Sequence, residues 1–233
     1  MSRSATNWPG DRPLPDWVER IDRLAAFLDE AQPETTDNAP FGAFHAAIAA
    51  FGREQLSEAA LDGLTGAAID EAEKWLRNRV SQLSTRILYV EFKTAVARED
   101  EELAFADPEE FETPPTERYE QFLVGLFGRS FRHLCLEYPV YARLLSLRLE
   151  QWEESFRELG ERLERDRPAL RDRFHDGEPL GPVVSLEPLA DDTHGDGRAV
   201  VAVTFETDVR IVYKPRPIEA MESFYGVLDR LNP

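Results

Sequence analysis

The sequence predicts an α+β chain that is mostly α: a helical N-terminal region, then a small three-stranded antiparallel sheet and one further helix. Three features support that class. Up to about residue 178 the apolar residues recur with helical spacing. Beyond it they alternate with period two in three short runs. Proline and glycine fall mainly between the periodic segments. The expected division is a helical region over 1–178 and a sheet-plus-helix region over 179–233.

The first helix is "PDWVERIDRLAAFLDEA", which places Trp17, Ile21, Leu24 and Leu28 on one face. "AFHAAIAAFG" gives a short Ala-rich helix ending at Gly52. Residues 65–98 have no Pro or Gly after Gly66 and read as one long helix, with Ser84 and Thr85 as the one place where it could break. "REDEELAFADPEEFETPPTE" reads as an acidic loop, since charge and three prolines oppose packing. "TERYEQFLVGLFGRSFRHLCLEYP" resumes helical spacing as far as Pro139. The next helix has that proline in its first turn, where a missing N–H costs nothing. Its expected buried stripe is Leu144, Leu147, Trp152, Phe156, Leu159 and Leu163. Strands are expected over 183–189, 199–205 and 209–215, with "ETD" at 206–208 as a hairpin link. A closing amphipathic helix, "IEAMESFYGVLDRLN", turns Ile218, Met221, Phe224, Tyr225 and Leu228 inward.

Composition excludes several classes. The 233 residues carry 45 acidic and 27 basic side chains, a formal charge of −18. Binding along a nucleic-acid backbone needs a positive footprint, and so does an anionic membrane surface. High Asp and Glu with little Lys also suits a high-salt cytoplasm, where a charged surface keeps a protein soluble. No apolar run nears the roughly 20 residues of a membrane span. The N-terminus lacks an apolar signal core, so a cytoplasmic protein is expected. Cys135 is the single cysteine, which rules out an intrachain disulfide. Flanked by leucines, it reads as a core residue. No HxxxH or CxxC spacing is present, and no metal ligands are expected. His45 and His133 lie in apolar helices and read as structural or surface residues; His175 suits a helix C-terminus.

One residue stands out against this background. Lys214 is one of three lysines, at the end of the third strand in "RIVYKPR". Alternation places it with Val212, on the face opposite Ile211 and Tyr213. The order is strand, glycine-containing turn, strand, hairpin, strand ending in Lys, helix. That order resembles the N-terminal lobe of kinase-like folds, where backbone N–H groups of a turn cover nucleotide phosphates and a strand lysine reaches them.

The residues narrow the resemblance. "DDTHGDGRAVVAVTFETDVRIVYKPR" is similar to the signature of type 2 lanthipeptide synthetases, in their dehydratase domain. The matching positions are Asp192, His194, Gly197, Arg198, Val200, Tyr213, Lys214, Pro215 and Arg216. "LYVEFKTA" (88–95), "TERYEQFL" (116–123) and "LEYPVYARLLSLRLEQW" (136–152) resemble helical segments of the same family.

The resemblance implies phosphorylation of Ser and Thr in a precursor peptide by Mg2+-ATP, then elimination of phosphate to dehydroamino acids. It assigns Lys214 to the nucleotide phosphates. Asp192 and His194, with Gly195, Gly197 and Arg198, belong to the turn above them, and His194 is implicated in elimination. Arg216 either meets ligand or anchors the strand end. Glu219 or Glu222 is a candidate partner for Lys214.

The family's catalytic acid, amide and metal-binding Asp lie beyond this region, as does its zinc cyclase domain, and none is found up to Pro233. The chain alone is therefore expected not to dehydrate peptides, and a separate chain carrying the second lobe and cyclase is a candidate partner. The alternative is a non-catalytic helical module that binds a peptide or docks on a partner.

Overall fold

The structure is a computed structural model, and it describes residues 14–32, 39–100, 102, 116–189 and 198–215. In chain order the elements are α1 (Asp16–Glu30), α2 (Gly42–Glu54), α3 (Glu58–Leu61), α4 (Gly66–Glu99), α5 (Glu117–Leu126), α6 (Arg129–Glu137), α7 (Pro139–Phe174), β1 (Val183–Pro188), β2 (Val201–Phe205) and β3 (Arg210–Tyr213). The α+β, mostly α class is the observed one. The acidic loop and the closing helix lie outside the described residues, apart from the loop's ends.

Two compact units are present. The first draws on Met1–Gln55 and Glu73–Glu150, the second on Leu56–Ala72 and Gln151–Pro233, so α4 and α7 each contribute to both.

In the first unit α1 buries Ile21, Leu24 and Leu28, as its spacing predicts, with Ala25 beside them, while Trp17 is only half-buried. The alanines of α2 allow close approach around Phe44, whose ring lies 5.8 Å from Phe131 and 6.2 Å from Phe127. Phe41 precedes α2 at φ 58°, unusual for a bulky residue. It is held there by contact with Tyr119 and Phe122 and by its N–H, which donates to the Tyr119 hydroxyl at 2.6 Å. The segment 116–138 is two helices rather than one: Phe127 and Gly128 interrupt it, and α6 starts anew at Arg129. His45 is buried against the rings of Phe41 and Phe44, and Cys135 is buried too.

Helix α4 is unbroken. The single long helix is the observed form, and its polar residues at the possible break point find partners without leaving the helix. Ser84 Oγ lies 3.0 Å from the Tyr141 hydroxyl, and Thr85 Oγ1 donates to the Ser81 carbonyl at 2.8 Å. Ala68, Ala72, Leu76, Val80, Ser84 and Leu88 are buried at strict intervals of four. Four residues turn a helix by about 40° beyond a full circle, so the buried line winds around α4.

In α7 Trp152, Phe156, Leu159 and Leu163 are buried, but Leu144 and Leu147 are 40% and 41% exposed. The buried positions there are Tyr141, Leu145 and Leu149, one face away from the expected stripe. With leucines at 144, 145, 147 and 149, the sequence offers two apolar faces and packing selects one.

The second unit contains the sheet, ordered β1-β2-β3 and antiparallel throughout. β1 is an edge strand whose open side is filled. Val183 N donates to Gly63 O at 2.8 Å, Thr65 N donates to Val183 O at 2.9 Å, and Leu186 N donates to the Glu71 carboxylate at 2.7 Å. An exposed ladder edge invites pairing with other chains, and these contacts close it.

Candidate functional site around the end of strand β3

The hairpin between β2 and β3 sets the register of β3. Residues 206–208 form the link, with Asp208 N donating to Phe205 O at 3.0 Å and Phe205 N to Val209 O at 2.9 Å. Asp208 takes φ 63°, the left-handed position that a three-residue hairpin loop requires and that Asp tolerates. The turn is moored by Glu206 N to Pro182 O at 2.9 Å and Thr207 Oγ1 to Leu180 O at 3.1 Å. The register pairs Val201 with Tyr213 and Val203 with Ile211.

One face of the sheet therefore carries Val201, Val203, Phe205, Ile211 and Tyr213, and it meets α7. The Arg167 guanidinium lies 5.7 Å from the Phe205 ring centre, and that of Arg162 lies 5.6 Å from the Tyr213 ring centre. The other face carries Arg210 and Val212, with Arg210 reaching across β2 to the Glu187 carboxylate at 2.6 Å. Val212 is half exposed, and Lys214, two residues on, is exposed. Pro215 behind it is buried, which anchors the strand end.

Tyr213 sits among charges. Its hydroxyl is buried with no hydrogen-bond partner among the described residues. Burial raises its pKa above the ordinary phenol value, Glu158 adds to that, and Arg162, Arg198 and Arg165 oppose it. Glu158 joins two of those arginines: one carboxylate oxygen meets Arg162 one turn along α7, and the other accepts from Arg198 Nε at 2.9 Å.

Of the residues expected at a site, Arg198 and Lys214 are described. Arg198 is committed to Glu158 on the α7 side, whereas Lys214 keeps the outward register. Asp192, His194, Gly195, Gly197 and Arg216 lie outside the described residues, as do Asp191, Glu219 and Glu222. A cleft of about 640 Å3 in this unit is lined by Asp62, Glu164, Arg167, Arg171, Leu180 and Pro182 among others, and includes neither Arg198 nor Lys214. Among the described residues no three His, Cys, Asp or Glu side chains group to hold a metal ion. No described helix is long and apolar enough to cross a membrane.

Sequence reasoning missed Glu158, Arg162 and Glu71. The Glu158–Arg162 spacing of four is a visible helix-pair signal. Nothing local marks Arg198 or Leu186 as partners of α7 and α4, because those contacts span 40 and 115 residues.

Comparison with known proteins gives one family. Residues 138–233 match the model described as "Domain of unknown function (DUF4135)", a domain known in lanthionine synthetase-like proteins. The match covers the second part of the chain, from the start of α7 through the sheet and Lys214 to Pro233. No curated protein matches the chain.

Proposed function

We propose that this chain supplies the N-terminal part of a lanthipeptide synthetase dehydratase, which phosphorylates Ser and Thr of a precursor peptide with ATP and Mg2+ and eliminates the phosphate. The observation that carries the reading is the family match over 138–233, because the matched stretch includes the whole Asp192-to-Arg216 signature. An exposed lysine at the end of a hairpin strand supports it. A strand gives the side chain a fixed direction, and the ammonium is a compact cation on a long stem. In this reading 179–233 is a kinase-like lobe and Lys214 meets the nucleotide phosphates. Asp192 and His194 act from the preceding turn, where a protonated His194 offsets charge on the departing phosphate. The catalytic acid and metal-binding groups come from sequence outside these 233 residues, in the same polypeptide or a partner chain.

The test is calorimetric titration with Mg2+-ATP, in wild type and Lys214→Ala. Binding that the substitution weakens at least tenfold supports the reading; equal binding in both, or none in either, opposes it. Mass spectrometry of a Ser/Thr-rich precursor, with and without the chain that carries the second lobe, then reads dehydration.

A second reading, a peptide-binding or docking module without catalysis, is favoured by one observation. Val140, Leu144 and Leu147 form an exposed apolar line on the first part of α7. Peptide binding indifferent to Lys214→Ala and lost in Leu144→Asp would select it.

A further inference from the structure

Two residues flank the proposed phosphate-binding elements, and one carboxylate is tied to both, to Arg198 directly and to Tyr213 through Arg162. Arg198 directly follows the glycine-containing stretch in sequence. Tyr213 directly precedes Lys214 and pairs with Val201 across the ladder. Arg198 donates to Glu158 at 2.9 Å. Arg162, which packs over Tyr213, pairs with the other oxygen of the same carboxylate. Glu158 is only 21% exposed, so solvent screens these contacts less than it would on an open surface. The helix beneath is fixed in turn by the burial of Phe156, Leu159 and Leu163.

We propose that Glu158 is a positioning residue for Lys214. Its carboxylate holds Arg198 at the start of the β2 segment and, through Arg162, the Tyr213 ring at the end of β3. The stem from which Lys214 projects is then set by α7 and not by the hairpin alone. A two-strand ladder tolerates small tilts at its open end, and an ammonium on a four-carbon stem magnifies them. Removing the shared negative charge leaves the Arg162 and Arg198 guanidinium groups without the carboxylate that joins them beside Tyr213, so the strand end moves away from α7.

This assignment rests on the nucleotide reading of Lys214, and the test separates the two. Mg2+-ATP affinity is measured in four proteins: wild type, Glu158→Gln, Lys214→Ala and the double variant. Glu158→Gln is expected to weaken binding about tenfold when Lys214 is present and less than about twofold when it is absent, the coupling expected of residues acting as a unit. Equal losses in both backgrounds, or no loss, would overturn the assignment. Amide exchange at residues 198–201 and 210–214 is measured in the same proteins without nucleotide. Faster exchange there in Glu158→Gln, with exchange of the α1 core unchanged, is expected whether or not ATP binds. Unchanged exchange overturns the positioning role. If wild type binds no ATP while exchange rises, the nucleotide reading fails and Glu158 still orders the strand end.

Discussion

The indole Nε1–H of Trp152 donates to the main-chain oxygen of Ala72 at 3.2 Å, joining the middle of α7 to the first part of α4. The ring is also stacked on Phe156, with centroids 5.5 Å apart. Trp152→Phe removes the donor and keeps most of the packing, so it is expected to cost about 1 kcal/mol. Trp152→Ala is expected to cost about 3–5 kcal/mol. Urea midpoints of the two variants measure the difference.

Gly160 lets α7 approach α3: a Cβ there would lie 3.2 Å from the Ala60 carbonyl oxygen, which is main chain and cannot swing aside. Gly160→Ala gains up to about 1 kcal/mol in helix propensity and loses it to this contact, leaving a small net change. Gly160→Leu is expected to destabilise by about 1–3 kcal/mol. Gly66→Ala, where a Cβ meets open space, is the control.

Alkaline pH should weaken the first unit. Burial, and secondarily the charge of Asp22, pushes the Cys135 thiol up to about 12. Burial raises Tyr141 as well, against the opposing hydrogen bond from Ser84. The unfolded chain releases these protons near their ordinary values, about 8.5 and 10, while the folded chain keeps them. Stability is thus fully present below about pH 8.5 and falls as pH rises, by up to about 1.4 kcal/mol per unit for each group. Urea midpoints at about pH 8 and pH 10.5 read this, and Cys135→Ala with Tyr141→Phe should flatten the slope. The native thiol should also resist alkylation at neutral pH until the protein unfolds.

Glu71 closes the edge of β1 by accepting from Leu186 N. Glu71→Ala leaves that N–H open, and its amide exchange should rise about tenfold with little change in α1. Glu71→Gln keeps an acceptor and should lie between. A sheet edge indifferent to both substitutions would mean that 63–65 alone closes it.

The sheet is legible in the sequence because period-two alternation and a three-residue polar link leave few ways to pair 201–205 with 210–213. The ends of the helices are legible where proline marks them, as at Pro139. The buried faces are less so. In α7 the apolar residues at 144, 145, 147 and 149 satisfy two stripes, and only neighbouring helices decide between them. Gly128 splits a helical pattern because α5 and α6 each pack their own side, which a single periodic reading averages over. Lys214 is visible by its rarity and strand position, but its support is not: Glu158, Arg162 and Arg198 are ordinary charges until the fold brings α7 under β3.

The hairpin also settles a question of parity. Side chains alternate along β3, so the residue on which the loop closes decides whether the even or odd residues look away from α7. Were the three-residue loop to close on Arg210 in place of Val209, the ammonium would turn toward the helix and the phenol toward water, without altering a single residue of β3. For this chain, the choice of the residue that closes the turn is also the choice of the side of the sheet on which Lys214 stands.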